Sequence, residues 1–272
     1  MPEALRLLCV LAHPDDESLG AGGLLARSAA EGIETHLVTA TRGERGRIGS
    51  ERPGPDVAGP IRERELREAA RVLGVSGLEL LGYLDGDLDR ADPIEATARI
   101  AAHVRRIRPQ VVVTFASEGS YGHPDHIAIS QLTGSALVAA ADAGFEPPTG
   151  VDLPPVPHRV SKLYWMAWDR TAFDAYERAI GGRLAAKVDG VERLATPWPD
   201  WLLNARVDAR DYWRTVWAAV QCHASQVVNY AGFPTLSEAE HRELWGRQSF
   251  YRVWSLVNGG RAVESDLFAG LR

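Results

Sequence analysis

The sequence predicts an α/β fold: a Rossmann-like, doubly wound, mainly parallel sheet with a C-terminal elaboration. Three observations carry this. Short apolar runs alternate with helical patterns through the first half of the chain. Those runs are apolar on both faces, as strands covered on two sides must be. Chemistry-bearing residues follow two of them, in His13-Pro14-Asp15-Asp16 and Gly122-His123-Pro124-Asp125-His126. Such strand ends are where open α/β sheets bind ligands.

The elements follow in order. Leu5–Ala12 is nearly all apolar and reads as a buried strand. A helix is expected from Leu19 to Glu31, closed by Gly32, then a strand over Glu34–Thr39. Ala40–Pro60 is rich in Gly, Arg and Pro and reads as a polar loop. Ile61–Leu73 has helical spacing and ends at Gly74. Leu78–Leu81 is a short strand, and Pro93–Ile107 is a helix with Pro suited to its first turn. Val111–Phe115 is a strong buried strand, followed by a loop over 116–125 and a helix over His126–Ala141.

Beyond residue 144 the pattern is less regular. Phe145–His158 is proline-rich and must be a surface connection. Lys162–Ala167 reads as a strand and Val207–His223 as a helix. Residues 170–206 resist assignment, and Thr196–Trp201 cannot be helical throughout because of its prolines. The expectation is one domain over 1–272, with a metal-site core over 1–144 and an elaboration over 145–272.

Composition narrows the function. Hydrophobic residues at 45% and charged residues at 24% are those of an ordinary soluble globular protein. A net charge of -6 argues against nucleic-acid or anionic-membrane surfaces, and no apolar run is long enough to span a bilayer. The N-terminus reads as the first strand, not as a signal peptide. Cys9 and Cys222 suggest no disulfide framework, so a cytoplasmic protein is expected.

The two His-Pro-Asp clusters offer three His and three Asp at one sheet edge. Adjacent carboxylates at a strand end repel each other, and a bound cation offsets that repulsion. Two or three His plus a carboxylate, with one position open, make a hydrolytic metal site. Blander readings exist. Asp15, Asp16 or Ser18 could cap the next helix, and His123 and His126 could be loop histidines. A dinucleotide loop at Gly20-Ala21-Gly22-Gly23 lacks its third glycine, since position 25 is Leu25.

AHPDDE, then TRGE, an R-x-x-E helix and GHPDH together resemble the LmbE-like (PIG-L) family of zinc-dependent N-acetylglucosaminyl de-N-acetylases. The resemblance covers about residues 5–135 and, more loosely, His223-Ala224-Ser225-Gln226. It implies that His13, Asp16 and His126 bind the metal, Zn²⁺ first, with Fe²⁺ also suited to such a site. It implies that Asp15 is the general base. It puts His123, cationic, at the oxyanion, with Asp125 holding its ring. Spacing alone does not separate Asp15 from Asp16. Glu44, Arg62 and Asp85 match family positions that face substrate, although Arg62 on a charge-rich helix also suits a solvated salt bridge. Tyr121 could donate to the oxyanion or pack as a loop aromatic. Trp198 and Trp201 are expected in the C-terminal core rather than stacked on a sugar, and His223 is expected to be structural.

The expected activity is metal-dependent removal of acetyl from an N-acetylglucosamine-containing small molecule. An amidase of a sugar-thiol conjugate is the nearest alternative. A non-catalytic, metal-containing sugar-binding protein is another, disfavoured because a structural site needs no free base. The aglycone, native metal and oligomeric state are not legible in the residues.

Overall fold

In a computed structural model, residues 4–188, 190–228, 230, 232–260 and 262–272 are described. The chain runs through β1 (Arg6–Leu11), α1 (Asp16–Gly20), α2 (Gly22–Ala30), β2 (Glu34–Thr41), α3 (Pro55–Val72), β3 (Gly77–Tyr83) and α4 (Pro93–Ile107). It continues with β4 (Val111–Phe115), the short turn α5 (Gly119–Gly122), α6 (Pro124–Ala141), β5 (Lys162–Ala167) and α7 (Arg170–Ile180). Then come the hairpin β6 (Ala185–Val188) and β7 (Val191–Leu194), β8 (Ala205–Asp208), α8 (Trp213–Cys222), α9 (Ala224–Val227), α10 (Glu238–Gly246) and β9 (Arg247–Ser255).

The main sheet has the order β3-β2-β1-β4-β5-β9-β8. Strands β3 to β5 are mutually parallel; β9 and β8 add antiparallel partners at one end. After β1 the chain turns to one side of the sheet, and after β4 to the other. The crevice between the carboxyl ends of β1 and β4 is therefore the topological switch point. Both His-Pro-Asp clusters open there. β4 is buried throughout and β1 nearly so, as a continuous apolar strand under helices requires. A second core unites Tyr176, Trp213, Val216, Phe233, Leu244 and Trp245 from C-terminal elements. No described helix is long and apolar enough to cross a membrane.

Several expectations shift. The helix expected over Leu19–Glu31 begins at Asp16 and breaks at Ala21. Glycines permit close packing there: a Cβ on Gly22 would lie 2.8 Å from Val216 and one on Gly23 2.9 Å from Ala209. They seat the helix rather than a nucleotide. The end of the expected Ala40–Pro60 loop is already helical from Pro55. The last helix of the parallel core starts at Pro124, where a missing N–H costs nothing. The helix expected over Val207–His223 is confined to 213–222, because Ala205–Asp208 pairs with β9 at the sheet edge. The unassigned 170–206 region holds α7 and the β6–β7 hairpin. Trp201 is 77% exposed rather than in a core, and Trp198 lies against Tyr251 and donates to Glu118.

Candidate active site

Asp16 folds back on the end of β1. Its Oδ2 accepts from the backbone N–H groups of Ala12 (3.2 Å) and His13 (2.7 Å). That turns Oδ1 towards His126 Nε2, 3.5 Å away. His13 Nδ1 lies 3.2 Å from His126 Nε2 and 3.8 Å from Asp16 Oδ2. Two ligand atoms at zinc–nitrogen distance from a tetrahedral centre are about 3.4 Å apart. The spacing and the N/O donor set thus fit a zinc-sized ion. His123 also comes within reach, its ring 4.8 Å from those of His13 and His126, and the set His13, His123 and His126 is a second possible ligand group.

The other nitrogen of His13 is engaged from behind. Its Nε2 faces Asp125 Oδ2 at 3.0 Å and Asp85 Oδ1 at 3.2 Å. Two carboxylates there keep a proton on Nε2 and leave Nδ1 as the ligand atom. Burial opposes a charge on His13, but Asp125 and Asp85 outweigh it and hold its pKa up at about 10. An extra proton on Nδ1 then faces the His126 lone pair, the place a cation takes. Burial raises Asp16 to about 7, against the pull of His13.

The carboxylate of Asp125 departs from the sequence expectation. It does not hold the His123 ring. It accepts from His13 Nε2, from Gly86 N (2.7 Å) and from Leu88 N (3.1 Å), deep beneath the site. Only its backbone N–H reaches His123, donating to Nδ1 at 3.2 Å. His123 is also not cationic: burial, then the charge on His13, push it down to about 4. With Nδ1 accepting, its proton sits on Nε2 and is free to be donated.

Asp15 has φ 109° and ψ −26°, a left-handed conformation that residues with a Cβ avoid. Its side chain makes no helix-cap hydrogen bond. Burial raises its pKa, with the Arg62 cation pulling the other way. Arg62 is buried rather than solvated. Its Nη1 donates to Gly43 O (2.9 Å) and its Nη2 to Pro14 O (2.6 Å) and Asp15 Oδ2 (3.3 Å). Glu44 and Asp85 are buried as well. Glu44 accepts from Arg42 N, and Asp85 from Arg45 N besides His13. Glu44, Arg62 and Asp85 thus point into the frame around the site, and none lines the cavity.

That cavity, about 390 Å³, opens on Asp15, Asp16, His123 and His126. Met166, Trp168, Tyr176 and Tyr230 form much of its wall. Tyr121 lines it too, edge-on to His126 at 5.3 Å. Left-handed Gly119, Ser120 and Gly122 shape the turn that carries it. Burial pushes the Tyr121 phenol well up, so it stays a donor. Sequence reasoning missed Glu17, which is fully buried. Its Oε2 accepts from Asp15 N (3.0 Å) and its Oε1 faces His223 Nε2 (2.6 Å). The only signal was its place directly after the two aspartates.

A profile of the family described as "PIG-L: GlcNAc-PI de-N-acetylase" matches residues 8–137. The chain is 36% identical to a 1D-myo-inositol 2-acetamido-2-deoxy-alpha-D-glucopyranoside deacetylase of Geodermatophilus obscurus, over 100% of this chain and 99% of the relative. It is 30% identical to a mycothiol S-conjugate amidase of Streptomyces coelicolor, with the same coverage. Among solved structures it resembles the conserved protein TT1542 of Thermus thermophilus, with a TM-score of 0.65 and 27% identity over 94% of this chain and 97% of that one. With full-length relatives at this identity and both His-Pro-Asp clusters converging at the switch point, the chain belongs to the PIG-L (LmbE-like) family of de-N-acetylases.

Proposed function

We propose that the protein is a zinc-dependent hydrolase that removes acetyl from an N-acetylglucosamine-containing small molecule. The observation that carries this is the convergence of His13 Nδ1, His126 Nε2 and the Asp16 carboxylate within 3.8 Å, on a cavity that Asp15 also lines. The names of the full-length relatives support the amide chemistry and the amino-sugar class.

His13, Asp16 and His126 would hold the ion. His123 is the weaker candidate, because its Nδ1 is already taken by the Asp125 N–H. Zn²⁺ there supplies Lewis acidity and brings the pKa of water from about 15.7 towards about 7. Asp15 takes the proton of the attacking water at a carboxylate oxygen and returns it to the leaving amine. Its raised pKa suits both halves of that task. His123 donates from Nε2, and Tyr121 from its phenol, to the oxyanion of the tetrahedral species. Arg62 keeps Asp15 turned to the cavity. A cytoplasmic location fits two cysteines that are both free.

A second reading, cleavage of a sugar-thiol conjugate amide, rests on the amidase relative and uses the same residues. The deciding experiment measures acetate release from N-acetylglucosamine conjugates, including the inositol glycoside, beside cleavage of a thiol conjugate. It uses protein stripped with chelator and reloaded with Zn²⁺ or Fe²⁺. Asp15→Asn should keep its zinc and lose about 10² to 10⁴ in kcat. Asp16→Asn should lose zinc as well. If no acetamide is cleaved by any loaded form, the deacetylase reading fails. If Asp15→Asn is the variant that loses metal, the two roles are wrong.

A further inference from the structure

We propose that the buried pair Glu17–His223 is a positioning device that holds Asp15 for proton transfer. The inference rests on the reading of Asp15 as the base. Four observations carry it. Asp15 sits at φ 109°, and such a conformation persists in a residue with a Cβ only where its surroundings over-determine it. Glu17 supplies that determination from below: its Oε2 accepts the Asp15 N–H at 3.0 Å. Glu17 is itself held, because its Oε1 meets His223 Nε2 at 2.6 Å and accepts from Ser18 Oγ at 2.5 Å. Both members of the pair are shut away from water, Glu17 at 0% and His223 at 1% exposure.

His223 is anchored by the segment that follows it. It lies between α8 and α9. Two residues on, Ser225 donates from N (2.9 Å) and Oγ (2.6 Å) to Glu65 on α3, and its carbonyl accepts from Gly49 N. This fixes the imidazole opposite Glu17, 206 residues away in the chain. Burying a charged pair costs desolvation that an apolar pair of the same volume would avoid. The His223 Nδ1 is buried with no hydrogen-bond partner among the described residues. A purely stabilising element has no reason to carry both costs beside the base. From the frame beside the cavity Arg62 holds the carboxylate at 3.3 Å. Asp15 is thus fixed at both its amide and its side chain.

The test uses the zinc-loaded protein and the best acetamide substrate. Glu17→Gln keeps the volume but removes the charge and presents an N–H₂ where one of its two acceptor oxygens stood, so either Asp15 N loses its acceptor or His223 must give up its Nε2 proton and the ion pair with it. Displacement of a catalytic group by about 1 Å costs about 10²-fold, and a loss of that order in kcat is expected, with KM and zinc content unchanged. His223→Gln can still donate to Glu17 and should retain most of kcat, whereas His223→Leu should behave like Glu17→Gln. Amide hydrogen exchange at Asp15 should speed up in Glu17→Gln, a readout that needs no turnover. In an Asp15→Asn background Glu17→Gln should cost almost nothing further, since both act through one group. Should His223→Leu not fold, the two volume-conserving glutamine variants carry the comparison. An unchanged kcat in Glu17→Gln, a loss of zinc, or full additivity with Asp15→Asn overturns the proposal. An Asp15→Asn variant with full activity overturns instead the reading of Asp15 as base, and the proposal with it.

Discussion

Asp125→Asn separates two tasks that adjacent sequence positions cannot. In the structure the Asp125 carboxylate serves His13, and only its backbone serves His123. Its Oδ2 takes two donors, His13 Nε2 and Gly86 N, while Oδ1 takes Leu88 N. Asparagine has one oxygen. Placed at the Oδ2 position it still meets His13 and Gly86, but its N–H₂ then opposes the Leu88 N–H. Flipped, it opposes His13 and Gly86. Either way one of the two negative charges that make His13 a better ligand is gone, and Asp85 alone remains behind its Nε2. Losing such a partner behind a ligating histidine costs about 10- to 100-fold in metal affinity. That is about 1.4 to 2.8 kcal/mol. Competition against a chromophoric chelator at fixed pH measures it directly. At saturating zinc, kcat should recover most of its value, because the Asp125 N–H to His123 Nδ1 contact survives the substitution. A variant with unchanged zinc affinity and a kcat that saturating zinc does not restore would refute the reasoning. It would return the carboxylate to His123.

Zinc affinity should rise about tenfold per pH unit between about 7 and about 10, because a single proton must leave His13 before the ion binds. Below Asp16's value of about 7 a second proton competes, and the slope should steepen to about a hundredfold per unit. A flat profile between about 7 and about 10 in chelator competition would refute the claim that Asp125 and Asp85 hold His13 protonated in the metal-free site. Arg62→Met should cost about 1–3 kcal/mol in urea unfolding, since it leaves the buried Pro14 carbonyl without its donor and the Gly43 carbonyl with Gly46 N only. It should also shift the acid limb of kcat/KM to higher pH: Asp15 must be ionised to act as base, and Arg62 is the cation that pulls its pKa down. Unmoved limbs would make Arg62 purely structural. Gly43→Ala should reproduce both effects, because the residue has φ +62° and a Cβ there would overlap the Arg62 guanidinium. Wild-type stability and pH profile in that variant would contradict the placement of Arg62.

The sequence by itself determined the parallel core and the place of the chemistry. The strand expected at Val111–Phe115 and the strand expected at Lys162–Ala167 have the bounds observed for β4 and β5. A strand covered on both faces must be a continuous apolar run, and that is a local signal. The His-Pro-Asp clusters were legible for a related reason: polar residues straight after such a run sit at the sheet's carboxyl edge. The antiparallel strands β8 and β9 were hidden because their residues mix polar and apolar faces, and only the pairing of β9 with β5 and of β8 with β9 makes them strands. Partner choice was hidden too. Asp125 lies next to His123 and His126 in sequence but bonds His13, 112 residues away. Arg62 reads as a substrate-facing residue or as a solvated arginine on a charged helix, yet it turns inward to the loop after β1. Glu17 looks like one more acid in a turn, but the fold buries it against His223. A hydrogen bond depends on where two atoms meet in space, and at these separations along the chain only the packing of the sheet and its helices decides that.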